Sequence, residues 1–202
     1  YLEVIGVNLL SEANHISYAS YFRLLIPIIM ENYNKCLYLD TDIVVLHDLA
    51  ELFSIELGIN ALGACEDIAA MASVIQKPHY QAYITQELGM DINHKYFNAG
   101  VLSINVNEFK KYKYDLFLEL KRLKHPKSHD QDVLNSVCKG KVMYLDFKYN
   151  YMWNILDDDK IIAIPQVRKG INFIIDLKSR GSYHIIHYAD KNKPWNSISF
   201  NK

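Results

Sequence analysis

The chain has 202 residues and only three cysteines, Cys36, Cys65 and Cys138, with no Cys-x-x-Cys pair among them. An odd number in apolar surroundings excludes a disulfide frame. It reads as small buried hydrophobes in a reducing, cytoplasmic compartment. No run of eighteen uncharged apolar residues exists, so no segment is read as membrane-spanning. Tyr1 is not an initiator methionine, and no signal-peptide pattern precedes it. Neither sign of charge is in surplus: 22 Lys and Arg stand against 23 Asp and Glu, which removes the basic footprint of a nucleic-acid binder. Internal repeats, low-complexity stretches and linkers are also lacking, so residues 1–202 read as one domain. That length buries about 70% of the surface of the unfolded chain.

Lys110, Lys111, Lys113, Lys121, Lys124 and Lys127 gather in one region, interleaved with Phe109, Tyr112, Leu116, Phe117 and Leu120. This is the pattern of the solvated side of an amphipathic helix. Along the chain, the pattern predicts a strand at Glu3–Val7, a polar loop over 11–17, and a helix from Ser20 to Asn32. The apolar stripe of that helix carries Leu24, Leu25, Ile28 and Ile29, and Pro27 marks a bend or a late start. Further strands are expected at 61–65, 97–106, 142–145 and 183–188. Helices are expected at 48–53, 78–88 (stopped by Gly89), 107–123 and 130–137. Strands alternating with helices imply a three-layer α/β arrangement.

The richest stretch is 35–46, where an apolar run reads as a buried strand, ends in Asp40 and Asp42, and resumes as Ile43-Val44-Val45-Leu46. On an ideal strand the two carboxylates share a face. Two anions there repel unless a hard cation lies between them, and an unpaired buried charge costs many kcal/mol. Asp-x-Asp also serves as a turn capping the next helix. The apolar flanks and the run Asp48–Phe53 favour a kink at the strand end with both carboxylates on Mg²⁺ or Mn²⁺.

Three other stretches carry chemistry. Phe97-Asn-Ala-Gly-Val101 opens a strand with a polar residue and two small ones, which lets backbone or ligand approach closely. His129-Asp-Gln-Asp132 leads a helix; Asp130 reads either as an N-cap or, with Gln131, as a pair facing a polar ligand such as sugar hydroxyls. His187 ends a strand and is followed by a loop with Lys193-Pro-Trp195, where a compact ammonium suits phosphate oxygens. Asp40, Asp42 and His187 would then supply three metal ligands, leaving room for two phosphate oxygens. Asp157-Asp158-Asp159 reads as a solvated loop.

Tyr38-Leu-Asp-Thr-Asp42, Tyr96-Phe-Asn-Ala-Gly-Val101, Asp130-Gln-Asp-Val-Leu-Asn135 and His187-Tyr-x-x-x-x-Lys193-Pro-Trp195 occur together in that order. The combination resembles glycosyltransferase family 8, the retaining galactosyl- and glucosyltransferases that include bacterial lipopolysaccharide enzymes and glycogenin. His15-Ile-Ser17 with Tyr21-Phe-Arg23 looks like the helix that this family places near its nucleotide.

The resemblance implies a GT-A fold, a UDP-hexose donor, Mn²⁺ (or Mg²⁺), and a saccharide or lipid-linked glycan acceptor. It leaves room for peripheral membrane association through terminal segments. Asp40, Asp42 and His187 match the metal ligands; Arg23, Thr41 and Lys193 match donor-side positions, Lys193 on the diphosphate. Asn98, Asp130 and Gln131 match the surroundings of the transferred sugar, with Gln131 stabilising the transition state of a front-face attack. The family's first strand would lie before residue 1, so the N-terminal βαβ portion is expected to be absent. Ala189-Asp190 stands where relatives often have glycine. Two rival readings remain: the strand-end Asp40-Thr-Asp42 also resembles haloacid-dehalogenase-like phosphohydrolases, and a truncated domain that merely binds sugar nucleotide is the non-enzymatic option.

Overall fold

The computed structural model describes residues 18–123, 126–189 and 193–196. The strand expected at 3–7, the loop at 11–17, Lys124 and Asp190 lie outside them.

Two sheets organise the described chain. The larger has four strands in the order β1-β4-β3-β5: β1 (Lys35–Leu39), β3 (Leu62–Glu66), β4 (Phe97–Asn105) and β5 (Val142–Tyr144). β4 runs antiparallel to β1 and β3, whereas β5 runs parallel to β3. The smaller has the order β2-β7-β6, with β2 (Ile43–Val45) antiparallel and β6 (Tyr151–Met152) parallel to β7 (Ile185–His187). The apolar run 35–46 is therefore two strands in two sheets, broken at the expected kink, Asp40-Thr-Asp42. The second half is not buried as expected. Val44 and Val45, on an outer strand of the small sheet, are 38% and 43% exposed.

Four longer helices cover these sheets: α1 (Ile68–Gln76), α2 (Lys113–Arg122), α3 (His129–Val137) and α4 (Arg168–Arg180). Leu116 and Leu120 of α2 and Val133 and Leu134 of α3 pack with Leu62, Ala64, Leu102 and Ile104 on one face of the large sheet. On the other face Cys65 and Val101 meet Ile185 of the small sheet and Leu52. Beyond it, α1 and α4 close over β6 and β7 through Ile68, Ala72, Ile171, Ile174 and Ile186. Burying such side chains stabilises the fold by about 1.5–3 kcal/mol each.

The helix expected at 20–32 is a 3-10 segment, Tyr18–Leu25, followed by one α-turn, Ile26–Ile29, with Pro27 in its first turn. Proline thus marks a late start, since the first-turn amides have no partner to lose. Its buried positions are Arg23, Leu24, Ile26 and Pro27, while Ile29 is 63% exposed. The helix expected at 107–123 is likewise split, with a 3-10 turn at Lys110–Tyr112 between Val106–Phe109 and α2. The stop at Gly89 is real, with φ +60. Asp157, Asp158 and Asp159 are exposed as expected, and Asp158 also caps the turn Asp159–Ile162.

A bulge in β4 sets up the site. Ala64 pairs with Leu102 and Glu66 with Phe97, so β4 carries extra residues across Asn98–Val101 while β3 advances two. The freed backbone is satisfied by side chains of α3. Asn135 accepts from Phe97 N at 2.8 Å and donates to Phe97 O at 2.9 Å; Gln131 Oε1 accepts from Ala99 N at 2.8 Å. Residues four apart share a helix face, which is why these two amides reach one strand.

Candidate active site

Asp40 sits directly after β1, where its amide donates to Gly100 O at 2.8 Å. Asp42 lies two residues on, immediately before β2, and its carbonyl accepts from Tyr188 N at 2.9 Å. His187 ends β7, in register with Ile43. These two sheet ends bring the three side chains together, with one ligand atom from each within 4.8 Å of the others. His187 Nε2 lies 3.3 Å from Asp42 Oδ1 and 3.9 Å from Asp40 Oδ2. The imidazole is 3% exposed.

Its tautomer follows from the far side of the ring. Asn150 donates its amide N–H to Asn98 Oδ1 at 2.9 Å, so its own Oδ1 faces His187 Nδ1, also at 2.9 Å. A carbonyl oxygen only accepts, hence Nδ1 carries a proton, which leaves Nε2 as the ring atom that faces the carboxylates. Asp42 Oδ1 is buried and accepts no hydrogen bond. An imidazole nitrogen, a buried carboxylate oxygen without a hydrogen bond and a second carboxylate converge, and that donor set fits Mn²⁺ or Mg²⁺.

Arg23 anchors the other edge. Its guanidinium reaches Asp40 Oδ1 at 2.9 Å, Asp130 Oδ2 at 2.7 Å and the carbonyl of Ala99, and lies over the Tyr38 ring at 4.6 Å. Tyr38 OH donates to Asp40 Oδ1 at 2.8 Å; burial pushes its phenol up, so it keeps that proton. Burial also raises Asp130, to about 6, against the pull of Arg23. For Asp42, burial works against ionisation, and the His187 imidazole and Lys193 ammonium outweigh it, holding the carboxyl well below its usual range. Lys193 Nζ binds Asp42 Oδ2 and Tyr188 O.

The remaining residues named from the sequence are placed as follows. Thr41 is exposed at the tip of the turn. Asn98 donates to Asp67 Oδ2 at 3.2 Å, and Gln131 Nε2 donates to the same oxygen at 3.2 Å. Asp130 does not cap α3; it pairs with Arg23, while Asp132 holds Ser128 N at 2.7 Å and the hydroxyls of Tyr83 and Tyr96 at 2.6 Å. Asp67 and Asn150 are not singled out by the sequence. Asp67 also caps α1 through Ala70 N at 2.9 Å, and that Asp before an apolar run is a readable cap signal. Asn150 carries no local signal, because its role comes from contacts distant in sequence. The small residues of Asn98-Ala-Gly100 do admit a close approach: the group admitted at Gly100 is the His187 imidazole.

Residues 4–199 match the sequence pattern of Glycosyl transferase family 8. The chain belongs to that family. It is 31% identical over 191 residues to the glycosyltransferase GlyF of Streptococcus pneumoniae serotype 4, covering 93% of this chain and 40% of GlyF. It superposes on the bifunctional glycosyltransferase WbbM with a TM-score of 0.77 at 29% identity, covering 91% of this chain and 33% of that one. With the galactosyltransferase LgtC, solved with donor and acceptor sugar analogs, the TM-score is 0.67 at 29% identity, over 90% of this chain and 62% of LgtC. The architecture is GT-A, with sheets flanked by helices. Family membership removes the phosphohydrolase reading of Asp40. That carboxylate is in any case held by Arg23 and Tyr38 rather than free as a nucleophile.

Proposed function

We propose that this chain moves a hexose, galactose or glucose, from a UDP-sugar to a saccharide or lipid-linked glycan, with retention at the transferred carbon and with Mn²⁺ or Mg²⁺ bound. The observation that carries the reading is the trio Asp40, Asp42 and His187, with Nε2 facing the carboxylates and Asp42 Oδ1 buried without a hydrogen bond. A cation held there would offset the negative charge that develops on the departing diphosphate. The likeness to LgtC, a galactosyltransferase that holds donor and acceptor sugar analogs together, supports the same reading.

The chain's own residues supply the rest. Lys193 occupies Asp42 until a diphosphate competes for its ammonium, and then serves that anion; Thr41 lies exposed beside it. Arg23, buried among two carboxylates, keeps Asp40 and Asp130 in place on the donor side. Gln131 spends one lone pair of Oε1 on Ala99 N, which leaves the other for an electron-poor sugar carbon. Asn98 and Asp130 border the same space. Acceptor attack from the donor's leaving-group face accounts for retention without a strong nucleophile. Three unpaired cysteines suit a cytoplasmic setting, at the inner membrane face where the acceptor is lipid-linked.

Screening UDP-sugars for Mn²⁺-dependent UDP release and thermal stabilisation tests the reading. Release from UDP-galactose or UDP-glucose, lost in Asp42→Asn, supports it. Phosphatase activity on an aryl phosphate with no UDP release from any donor rejects it, and Mn²⁺-dependent UDP binding without turnover assigns the chain to sugar-nucleotide binding alone.

A further inference from the structure

Trp153, Tyr188 and Trp195 form a continuous aromatic step beside the carboxylate–imidazole trio. The Trp153 and Tyr188 rings lie 5.7 Å apart at 40°, and those of Tyr188 and Trp195 lie 5.4 Å apart at 74°. Trp153 is 42% exposed and Trp195 53% exposed, although burying such rings is the usual outcome in a folded chain. The step is fixed to the site by backbone bonds on both sides. Trp153 N donates to His187 O at 3.1 Å, Tyr188 N donates to Asp42 O at 2.9 Å, and the Tyr188 carbonyl receives Lys193 Nζ. The backbone that carries Trp153 and Tyr188 is thereby tied to the residues proposed to hold the donor diphosphate.

We propose that this step is a subsite for a neutral pyranose ring of the acceptor, a hexose or N-acetylhexosamine, stacked by its C–H face on Trp153 and Trp195. Aromatic faces carry negative quadrupole charge, and the axial C–H face of a sugar is weakly positive and apolar. Lys193, the cation tied to the step, is engaged by Asp42 and the Tyr188 carbonyl, so it does not favour an anionic ring. The rings are inclined rather than coplanar, which offers a stepped surface to a puckered ring and a poorer one to a flat base. The word acceptor rests on the transferase reading above.

The sequence has two tryptophans, and both lie in this step, so intrinsic fluorescence reports on it directly. The probes are methyl β-glucopyranoside, methyl β-galactopyranoside and methyl N-acetyl-β-glucosaminide, with adenosine, a flat nucleoside that is not part of the proposed donor, as the competitor. A saturable fluorescence change with at least one glycoside and none with adenosine is expected, and it requires no catalysis. Where transfer is measured, Trp153→Ala raises the acceptor KM about tenfold, the scale of one lost aromatic contact, with a smaller fall in kcat. Trp153→Phe recovers most of it.

A change with adenosine alone, no change with any glycoside, or an unaltered acceptor KM in Trp153→Ala overturns the subsite. Absence of turnover with every UDP-sugar counts against the transferase reading and leaves the fluorescence result to decide the subsite.

Discussion

Gly100 and His187 touch so closely that no other residue fits at position 100: a Cβ built there collides with the imidazole Cε1 and comes within 2.8 Å of Nδ1. Asn98 Oδ1 lies 3.0 Å from the same Cβ, and the ring itself is buried and held through Nδ1 by Asn150 at 2.9 Å. Gly100→Ala is expected to destabilise the protein by about 1–3 kcal/mol, the usual effect of overpacking. It should also abolish the thermal shift given by Mn²⁺. Calorimetry with and without the ion checks both, and a variant that keeps the shift would contradict the packing described.

Asn150 sets the His187 tautomer without being a ligand itself. Removing such an outer partner lowers metal affinity by about 10- to 100-fold in comparable sites. Asn150→Ala should therefore weaken Mn²⁺ by that factor, read by titration calorimetry, and leave the far-UV spectrum unchanged.

Lys193 and a cation compete for the same carboxylate. In donor-free protein, Lys193→Ala should bind Mn²⁺ several-fold more tightly, because Asp42 Oδ2 no longer has an ammonium to give up. The sign reverses once a diphosphate is present, since the variant lacks that ammonium for the phosphates. Mn²⁺ affinity measured with and without UDP shows whether the order inverts.

Asp130 has its carboxyl raised by burial to about 6, so the folded state holds a proton there that the unfolded chain has already released. Its contribution to stability is complete below about 4 and is lost as the pH climbs through about 6. In metal-free protein, the stability of Asp130→Asn relative to wild type should rise across that interval. Urea unfolding of both proteins from about pH 4 to about pH 7 checks the slope, and a flat difference would show that Arg23 holds Asp130 ionised throughout.

Much of the site is legible in the sequence because its chemistry is local. Asp40 and Asp42 stand out as charges inside an apolar run, Gly100 as a small residue in a strand, and Asp130 and Gln131 as polar residues opening a helix. What the residues touch is less legible. The amides of Gln131 and Asn135 serve first as donors and acceptors for a bulged strand, and a bulge leaves no pattern in the chain that carries it.

Two helices show why patterns fail in different ways. Ile68–Gln76 is apolar almost all round and sandwiched, so it has no stripe to read. Arg168–Arg180 does carry a stripe at Ile171, Ile174 and Leu177 and a stop at Gly181, φ +59, and is readable once that spacing is counted. The exposure of Val44 and Val45 depends on what packs over β2, which the residue types of the strand do not encode.

Ile43 and His187 are register partners although most of the chain lies between them. Such a seam closes late in folding, since ends so distant must meet before any contact rewards them. An ion that binds only the closed form adds stability by mass action and acts as a clasp across the seam. On the reading proposed above, a chain deprived of such an ion would open there first, and divalent-ion supply would then set its lifetime against proteases.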